Sequence, residues 1–200
     1  MKKLILASNN QKKLKELAAL LASLDIQLLP QGELGVQEAE EPHPTFVENA
    51  LAKARHAAMI TGLPALADDS GICVEALDGA PGVRSARYAL PEPGLDIDLR
   101  NNEKLLAELE GIDNRRASFV CVIALVRHAH DPRPIIVEGE WQGEILLAPR
   151  GENGFGYDPL FLDRESGLAS AELAPEVKNQ RSHRGKALAL LREKLGGTMW

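Results

Sequence analysis

The hydrophobic residues near the N-terminus change from a continuous run to a helical spacing and back. Residues 3–7, KLILA, form a short apolar run without alternation, which is typical of a strand buried on both faces of a sheet. From Gln11 to Leu24 the leucines recur at helical spacing, which predicts a helix. These positions are Leu14, Leu17, Leu20, Leu21 and Leu24. A second strand is predicted at residues 26–29, so the chain opens with a β-α-β order.

A capped helix and a strand are predicted next. Thr45 can cap a helix over residues 46–60, with Glu48 three positions on completing a capping box. Residues 64–67 then start a strand that leads into the segment ADDSG. A second apolar piece at residues 72–77 follows that segment, ahead of a turn rich in glycine and proline.

Strand-like patterns cluster in the second half of the chain. The predicted elements are a helix at 98–109, a strand at 117–126, an antiparallel pair at 135–140 and 143–147 turning at Trp141-Gln142, and a last helix at 182–195. Because helices and strands alternate early and strands cluster later, we expect an α/β fold whose sheet is mixed rather than purely parallel. No repeat or low-complexity linker divides the chain, so residues 1–200 are predicted to form a single domain.

Composition and charge narrow the class of ligand. The net charge of -6 and the 4% content of aromatic residues argue against a long nucleic-acid-binding face, which needs clustered Lys and Arg. Cys73 and Cys121 have no metal-binding spacing, and no apolar run approaches the length of a membrane span. The N-terminal apolar run ends at Ser8, too early for a signal peptide, so a cytoplasmic location is expected. A small anionic ligand remains compatible with this acidic chain if a cation neutralises charge where the ligand meets protein carboxylates.

The adjacent carboxylates of Asp68 and Asp69 are the first candidate for chemistry. Carboxylates at a strand end suit Mg²⁺, which takes a few oxygen ligands and keeps waters that phosphates can replace. Capping of a turn is the alternative interpretation. Because neighbouring strand residues point to opposite faces, only one of the two is expected to face the site, and the pattern does not say which.

Two further segments could meet the same cation and a phosphate. Glu38, Glu40 and Glu41 form an acidic loop that either is simply solvated or supplies a second carboxylate. The turn from Ser8 to Lys13 joins a strand to a helix, where backbone N-H groups and the helix dipole favour phosphate. It is not a P-loop, since GxxxxGK[ST] is absent from the chain.

The glycine-rich segment of residues 151–159 is the most irregular part of the chain. Its glycines allow close approach of a ligand, and Phe155 or Tyr157 could stack on a base, unless the segment is an ordinary hairpin turn. Lys178, His183 and Arg184 follow near the last helix and could donate hydrogen bonds to a carbonyl or phosphate, or be surface charge.

Taken together, six segments in order resemble the inosine triphosphate pyrophosphatase family over nearly the whole chain. They are Ser8-Asn9-Asn10 with Lys13, Thr45-Phe46 with Glu48-Asn49-Ala50 and Lys53-Ala54, Ala67-Asp68-Asp69-Ser70-Gly71, Gly79-Ala80-Pro81-Gly82 with Ser85-Ala86-Arg87-Tyr88, Gly154-Phe155-Gly156-Tyr157-Asp158-Pro159, and Ser182-His183-Arg184-Gly185. Many members of this family have Thr where this chain has Ser8, which keeps the hydroxyl.

The resemblance implies an elongated mixed β-sheet flanked by helices, in two lobes with a central cleft, in an enzyme that is usually a homodimer. It implies Mg²⁺-dependent hydrolysis of ITP, dITP and XTP to the monophosphate and pyrophosphate, cleansing nucleotide pools. By this resemblance Asp69 is the general base and a metal ligand, with Asp68 beside it and Glu40 or Glu41 as second carboxylate. The residues implied to bind substrate are Ser8, Asn9, Asn10, Gln11, Lys12, Lys13, Lys53, Ser70, Phe155, Gly156, Tyr157, Asp158, Lys178, His183 and Arg184.

Other functions remain open at this point. A Maf-like nucleotide pyrophosphatase shares the chemistry, although its motifs fit less well, and a haloacid-dehalogenase-type phosphatase uses a DxD pattern rather than adjacent aspartates. A non-catalytic sensor would bind a nucleoside triphosphate without releasing pyrophosphate. Selection against adenine is expected from donors that pair with a 6-oxo group but not with a 6-amino group.

Overall fold

The described strands form one mixed sheet. The computed structural model describes residues 2–21 and 26–196, except for the side chains of residues 11, 12, 16, 19 and 20. Within these residues seven strands lie in the order β2-β1-β3-β4-β5-β6-β7. Their bounds are β1 Lys2–Leu6, β2 Ile26–Pro30, β3 Ala65–Val74, β4 Arg116–Val126, β5 Ile135–Ile145, β6 Phe161–Asp163 and β7 Leu168–Ala169. Strand β1 pairs parallel with β2 and β3, whereas β6 pairs antiparallel with β5 and β7.

Helices flank this sheet, which confirms the predicted α/β class. They are α1 Gln11–Leu21, α2 Phe46–Thr61, α3 Ile97–Glu108, α4 Pro175–Arg181 and α5 His183–Gly196. The predicted position Leu24 lies outside the described residues. No helix in the described ranges is long and apolar enough to cross a membrane.

The chain divides into two compact units. The first contains Met1–Asp69, Cys121–Gly139 and Lys186–Trp200, and the second contains Ser70–Val120 and Glu140–Gly185. Strand β3 therefore passes from the first unit to the second between Asp69 and Ser70. The cleft that the family resemblance implies stays a prediction.

In the first unit the sheet is covered on both faces. One cluster joins Leu4 and Leu6 of β1 to buried leucines of α1 and α5. The other joins Ile5 and Ala7 to the alanine-rich face of α2. Alternate residues of β1 thus enter different cores, which is why its sequence reads as a continuous apolar run.

The second unit is built around an aromatic cluster. Phe119 of β4, Trp141 of β5 and Phe161 of β6 have ring centroids 4.6–6.4 Å apart. They pack with α3 leucines and with Tyr157, so a few rings provide much of this core.

Two predicted interruptions are wrong because the strands are continuous. ADDSG lies inside β3 rather than at the end of a strand, and only residues 75–77 of the second apolar piece leave it, as a 3₁₀ turn. The predicted hairpin at Trp141-Gln142 is one strand, β5, in which buried Val137, Trp141 and Ile145 alternate with exposed residues. A bend there would remove Trp141 from the core. The short elements α4, β6 and β7 were not predicted.

The other predicted elements are confirmed within about two residues, except for the predicted end of the first helix at Leu24, which lies outside the described residues. Helix α2 begins after Thr45, whose hydroxyl accepts a hydrogen bond from the Glu48 backbone N-H at 3.3 Å and donates to its carboxylate at 2.5 Å. Helix α3 begins after Asp96, which accepts from the N-H groups of Asp98 and Leu99. Both caps satisfy N-H groups that have no partner within the helix.

Candidate active site

Asp68 and Asp69 point to opposite faces of β3. Leu66, two positions before Asp68, packs in the core with α1 and α5, whereas Ala67, two positions before Asp69, packs against α2. Accordingly, Asp68 contacts Lys13 of α1, and Asp69 contacts Lys53 of α2. The alternation expected from the sequence separates the pair into two different sites.

Lys53 joins Asp69 to the acidic loop. Its Nζ lies 2.5 Å from Glu41 Oε1 and 3.2 Å from Asp69 Oδ1, so one ammonium group contacts both carboxylates. Glu40 is exposed, whereas Glu41 is half-buried. Of the two predicted glutamates, the geometry favours Glu41 as the partner of Asp69.

Burial and charge set the protonation of this group. Burial raises the pKa of the Asp69 carboxyl above its ordinary value, Glu41 raises it further, and Lys53 opposes both. Burial alone would lower the pKa of Lys53, but Asp69 and Glu41 outweigh that effect and the pKa is raised. Lys53 therefore stays charged, while Asp69 is a stronger base than an ordinary aspartate.

The carboxylates of Asp69 and Glu41 fit a magnesium ion that takes its remaining oxygen ligands from the substrate and water. Asp69 Oδ2 is buried and accepts no hydrogen bond from the described residues. No group of three or more His, Cys, Asp or Glu that could hold a metal exists in the part of the chain described. Mg²⁺ is commonly held by one or two carboxylates together with substrate phosphates, so Asp69 and Glu41 could serve as its protein ligands.

Asp68 holds Lys13 on the other face of β3. The Lys13 ammonium lies 2.8 Å and 2.9 Å from the two Asp68 oxygens, and the Asp68 side chain is only 4% exposed. This contact fixes Lys13, which the sequence assigned to phosphate. Asp68 also helps to raise the pKa of Lys53, so its predicted place beside Asp69 stays a prediction.

The predicted phosphate turn is ordered by its own side chains. The Ser8 hydroxyl accepts from Asn10 N-H at 3.1 Å, and Asn10 Oδ1 accepts from Lys13 N-H at 3.2 Å, at the start of α1. Asn9 is exposed and donates to Glu38 at 3.3 Å. The side chains of Gln11 and Lys12 lie outside those described, and Ser70 is half-buried in β3.

In the second unit Asp158 organises the glycine-rich loop. Its Oδ1 accepts from the Ser170 hydroxyl at 2.7 Å, and its Oδ2 accepts from Phe155 N-H at 2.9 Å and from Lys178 Nζ at 2.5 Å. Gly154 has φ +86°, and a Cβ there would collide with Asp158 Oδ2. The loop conformation therefore requires glycine at this position.

The Phe155 side chain is half-exposed, whereas the Tyr157 side chain is buried. The Phe155 side chain is 49% exposed, and Lys178 Nζ lies 5.7 Å from its ring centroid. Tyr157 is buried, and its hydroxyl donates to Ser85 O at 2.8 Å. Burial raises the pKa of Tyr157, which keeps that donor protonated. The predicted base contact by Tyr157 is thus better understood as support of the loop from the core.

His183 and Arg184 open helix α5 beside the aromatic core. The His183 ring stacks on Phe119 with centroids 4.8 Å apart and planes 11° apart. At Gly185 a Cβ would collide with Asn179 O, so the turn between α4 and α5 is tightly packed. This packing fixes the residues that precede α5.

Residues that were not assigned a role also shape these sites. Asn49 is fully buried, and its amide group bonds both the N-H and the C=O of His43, which secures the loop carrying Glu41. Asp98 and Asn102 of α3 bond Gly156. Asn49 stands in the capped helix segment TFVENA, a signal that could have found it, whereas nothing in the α3 pattern singles out Asp98 or Asn102.

A mixed α/β sheet that carries a carboxylate pair bridged by lysine is compatible with a hydrolase that acts on phosphates. Comparison with known proteins identifies the family to which the chain belongs. The model of the Ham1 family matches residues 4–194. The chain therefore belongs to the Ham1 family, and the resemblance inferred from the sequence is confirmed.

The most similar relatives include enzymes named for their substrates. The dITP/XTP pyrophosphatase of Ralstonia nicotianae is 60% identical over 195 residues, which are 98% of this chain and 97% of the relative. That of Aromatoleum aromaticum is 61% identical over 96% of both chains. Among solved structures, a HAM1 protein from Coxiella burnetii is 50% identical with a TM-score of 0.94, covering 99% of this chain and 100% of the other.

Proposed function

We propose that this protein hydrolyses the non-standard purine nucleoside triphosphates dITP, XTP and ITP to the monophosphate and pyrophosphate, using Mg²⁺. The observation that carries the proposal is the partly buried Glu41-Lys53-Asp69 group in a chain 60% identical to a dITP/XTP pyrophosphatase. A Maf-like preference for dTTP and a sensor role are less well supported by this set of relatives.

Asp69 and Glu41 are proposed to hold the metal, with Asp69 also acting as the base. Bound Mg²⁺ supplies charge neutralisation on the phosphate oxygens. Asp69 accepts a proton from the water whose oxygen attacks phosphorus, and its raised pKa favours that transfer. The anhydride bond to the leaving pyrophosphate breaks as the new P-O bond forms.

Lysines and the strand-helix turn are proposed to hold the phosphates. Lys53 stays protonated beside Asp69 and Glu41, and Lys13 is held by Asp68. Both ammonium groups are proposed to attract the substrate phosphates. The backbone of the Ser8-Lys13 turn offers N-H groups at the start of α1. Ser70, Gln11 and Lys12 keep their predicted substrate roles as proposals.

The base is proposed to lie on Phe155, within reach of donors. Lys178, His183 and Arg184 offer hydrogen bonds that a 6-oxo group accepts and a 6-amino group cannot. The half-exposed Phe155 ring is well suited to stacking, because every purine presents a π-face.

Product identification tests the reaction directly. The protein is incubated with ITP, XTP, GTP, ATP and dTTP with and without Mg²⁺, and products are separated. Pyrophosphate and monophosphate from ITP and XTP, only with Mg²⁺, are expected. Orthophosphate would indicate a phosphatase, preference for dTTP the Maf-like function, and no product a sensor.

Variants test the assigned base. Asp69→Asn should abolish most turnover while the protein still folds and unfolds cooperatively, and the exposed Asp113→Asn control should behave as the wild type. Near-normal turnover by Asp69→Asn would refute its role. A homodimer and a cytoplasmic location are also proposed from the family resemblance, and ultracentrifugation and cell fractionation check them.

A further inference from the structure

Helix α3 binds both backbone polar groups of one residue, Gly156, in the glycine-rich loop. Asp98 Oδ2 accepts from Gly156 N-H at 2.7 Å, and Asn102 Nδ2 donates to Gly156 O at 2.9 Å. The two side chains are four residues apart and therefore lie on the same face of the helix. Gly156 has φ +60°, a left-handed conformation that the two bonds hold in place.

This pair of bonds completes the fixation of Phe155. Phe155 N-H donates to Asp158 Oδ2 at 2.9 Å, and Phe155 O accepts from Asp158 N-H at 3.2 Å. The loop therefore binds Phe155 from one side, and α3 binds the next residue from the other. Without α3, rotation about Gly156 would change the direction of the half-exposed ring, since glycine tolerates many conformations.

The side chains that make the bonds are well placed to be rigid. Asn102 is 7% exposed, and its neighbour Asn101, 2% exposed, binds Ala89 N-H at 2.7 Å. Asp98 lies in the first turn of α3, where a carboxylate is stabilised by the helix dipole. A rigid helix bearing polar side chains is a better support for a binding loop than the loop alone.

We propose that Asp98 and Asn102 are positioning residues for base recognition, acting through the Gly156 peptide to orient Phe155. The inference rests on the proposed function, in which Phe155 stacks on the purine. Neither side chain is proposed to touch the substrate. Their loss should raise KM with little change in kcat. It should also reduce base selectivity, because a base that stacks on a displaced ring no longer meets the donors proposed to select the 6-oxo group.

The test compares two isosteric substitutions, Asn102→Asp and Asp98→Asn, for which different changes in KM are expected. Asn102→Asp replaces the donor by a carboxylate oxygen facing Gly156 O, and KM for ITP should rise about tenfold, the effect of one lost hydrogen bond. Asp98→Asn keeps a carbonyl acceptor for Gly156 N-H, so KM should stay within about twofold, whereas Asp98→Ala should behave like Asn102→Asp.

Asn101→Asp is the matched control. It adds the same charge one residue away at an equally buried position, yet keeps the oxygen that accepts from Ala89 N-H. The ratio of kcat/KM for ITP to that for ATP is measured for each variant, because it is independent of the folded fraction. A fall in this ratio for Asn102→Asp but not for Asn101→Asp is expected, and equal ratios would overturn the proposal.

Phe155→Ala separates failure of the inference from failure of the proposed function. If Phe155→Ala raises KM for ITP while Asn102→Asp does not, the positioning role is wrong and the function stands. If neither variant changes KM although ITP is hydrolysed, base stacking on Phe155 is wrong and the positioning role fails with it. Faster hydrogen exchange of Gly156 N-H in Asp98→Ala, but not in Asp98→Asn, is the structural readout expected in the successful case.

Discussion

Removal of the Lys53 ammonium should make the protein depend on Mg²⁺ for stability. Lys53→Met keeps much of the length and apolar stem of the side chain but leaves Glu41 and Asp69 without the cation that contacts both. Two carboxylates that are largely removed from water would then face each other's charge. A divalent cation can take the place of the ammonium group.

The size of the effect follows from burial. The Lys53, Glu41 and Asp69 side chains are 13%, 26% and 10% exposed. Removing one partner of a fully buried ion pair costs about 3–5 kcal/mol, and because Glu41 is a quarter exposed we expect the lower end, about 3 kcal/mol. Mg²⁺ at about a hundred times its dissociation constant would restore about 2.7 kcal/mol.

Urea unfolding with and without MgCl2, at matched ionic strength, measures both quantities. Without Mg²⁺ the Lys53→Met midpoint should fall by roughly 1 M, and with Mg²⁺ most of that loss should be recovered. Lys15→Met, an exposed position on α1, is the control and should match the wild type. If Lys53→Met were as stable as the wild type without metal, or if Mg²⁺ stabilised both proteins equally, the interpretation of this group as a cation site would be refuted.

Two further predictions concern the second unit. Gly154→Ala should raise KM for ITP and lower stability by about 1–3 kcal/mol, because its Cβ would displace Asp158; Gly167→Ala, at φ +70° with open space, carries the backbone strain alone and should leave KM unchanged. Asp163→Asn should cost about 1.5–3 kcal/mol at pH 7 by weakening the contact with Arg181, measured by urea unfolding. Burial alone would raise the pKa of Asp163, but its hydrogen bonds outweigh that and lower the pKa, so this stability is complete above about pH 4 and is lost as pH falls further. An unchanged difference between wild type and Asp163→Asn at pH 7 and pH 3 would contradict that assignment.

Strand alternation was sufficient to predict that Asp68 and Asp69 point to opposite faces of the sheet, but not which residue points to which face. The choice of face depends on which helix covers it, and α1 and α2 both follow strands in the same part of the chain. Only the packing of Leu66 with α1 and of Ala67 with α2 distinguishes them. The sequence near Asp68 and Asp69 does not show which helix packs on which face of β3.

The failed hairpin at Trp141 has a different physical cause. Gly143 was predicted to start a new strand after a turn at Trp141-Gln142, yet it lies inside the continuous strand β5, where a Cβ would collide with Leu162 O and the Phe161 ring. Glycine here makes room for an aromatic neighbour rather than permitting a bend. A single sequence cannot separate these two uses of glycine, because the neighbour is distant along the chain.

The assignment of Tyr157 to the base illustrates the same limit. The sequence assigned both aromatic residues of this glycine-rich segment to the base, whereas Phe155 is half-exposed and Tyr157, two positions further on, is buried in the core. The carboxylate of Asp158 and the ammonium of Lys178 were both singled out correctly as members of one region, and their direct contact was not foreseen. The sequence thus indicated which residues belong to this region, but not which side chains contact each other.

The opposite orientations of Asp68 and Asp69 make β3 intolerant of changes in length. Insertion or deletion of one residue between Ala65 and Asp68 would invert every following side chain, bringing Asp69 towards α1 and Asp68 towards α2. Lys13 and Lys53 would each meet the wrong carboxylate, while the sheet hydrogen bonds could re-form almost unchanged. Length variation among functional relatives should therefore be excluded from this stretch and concentrated in exposed connections such as residues 110–114.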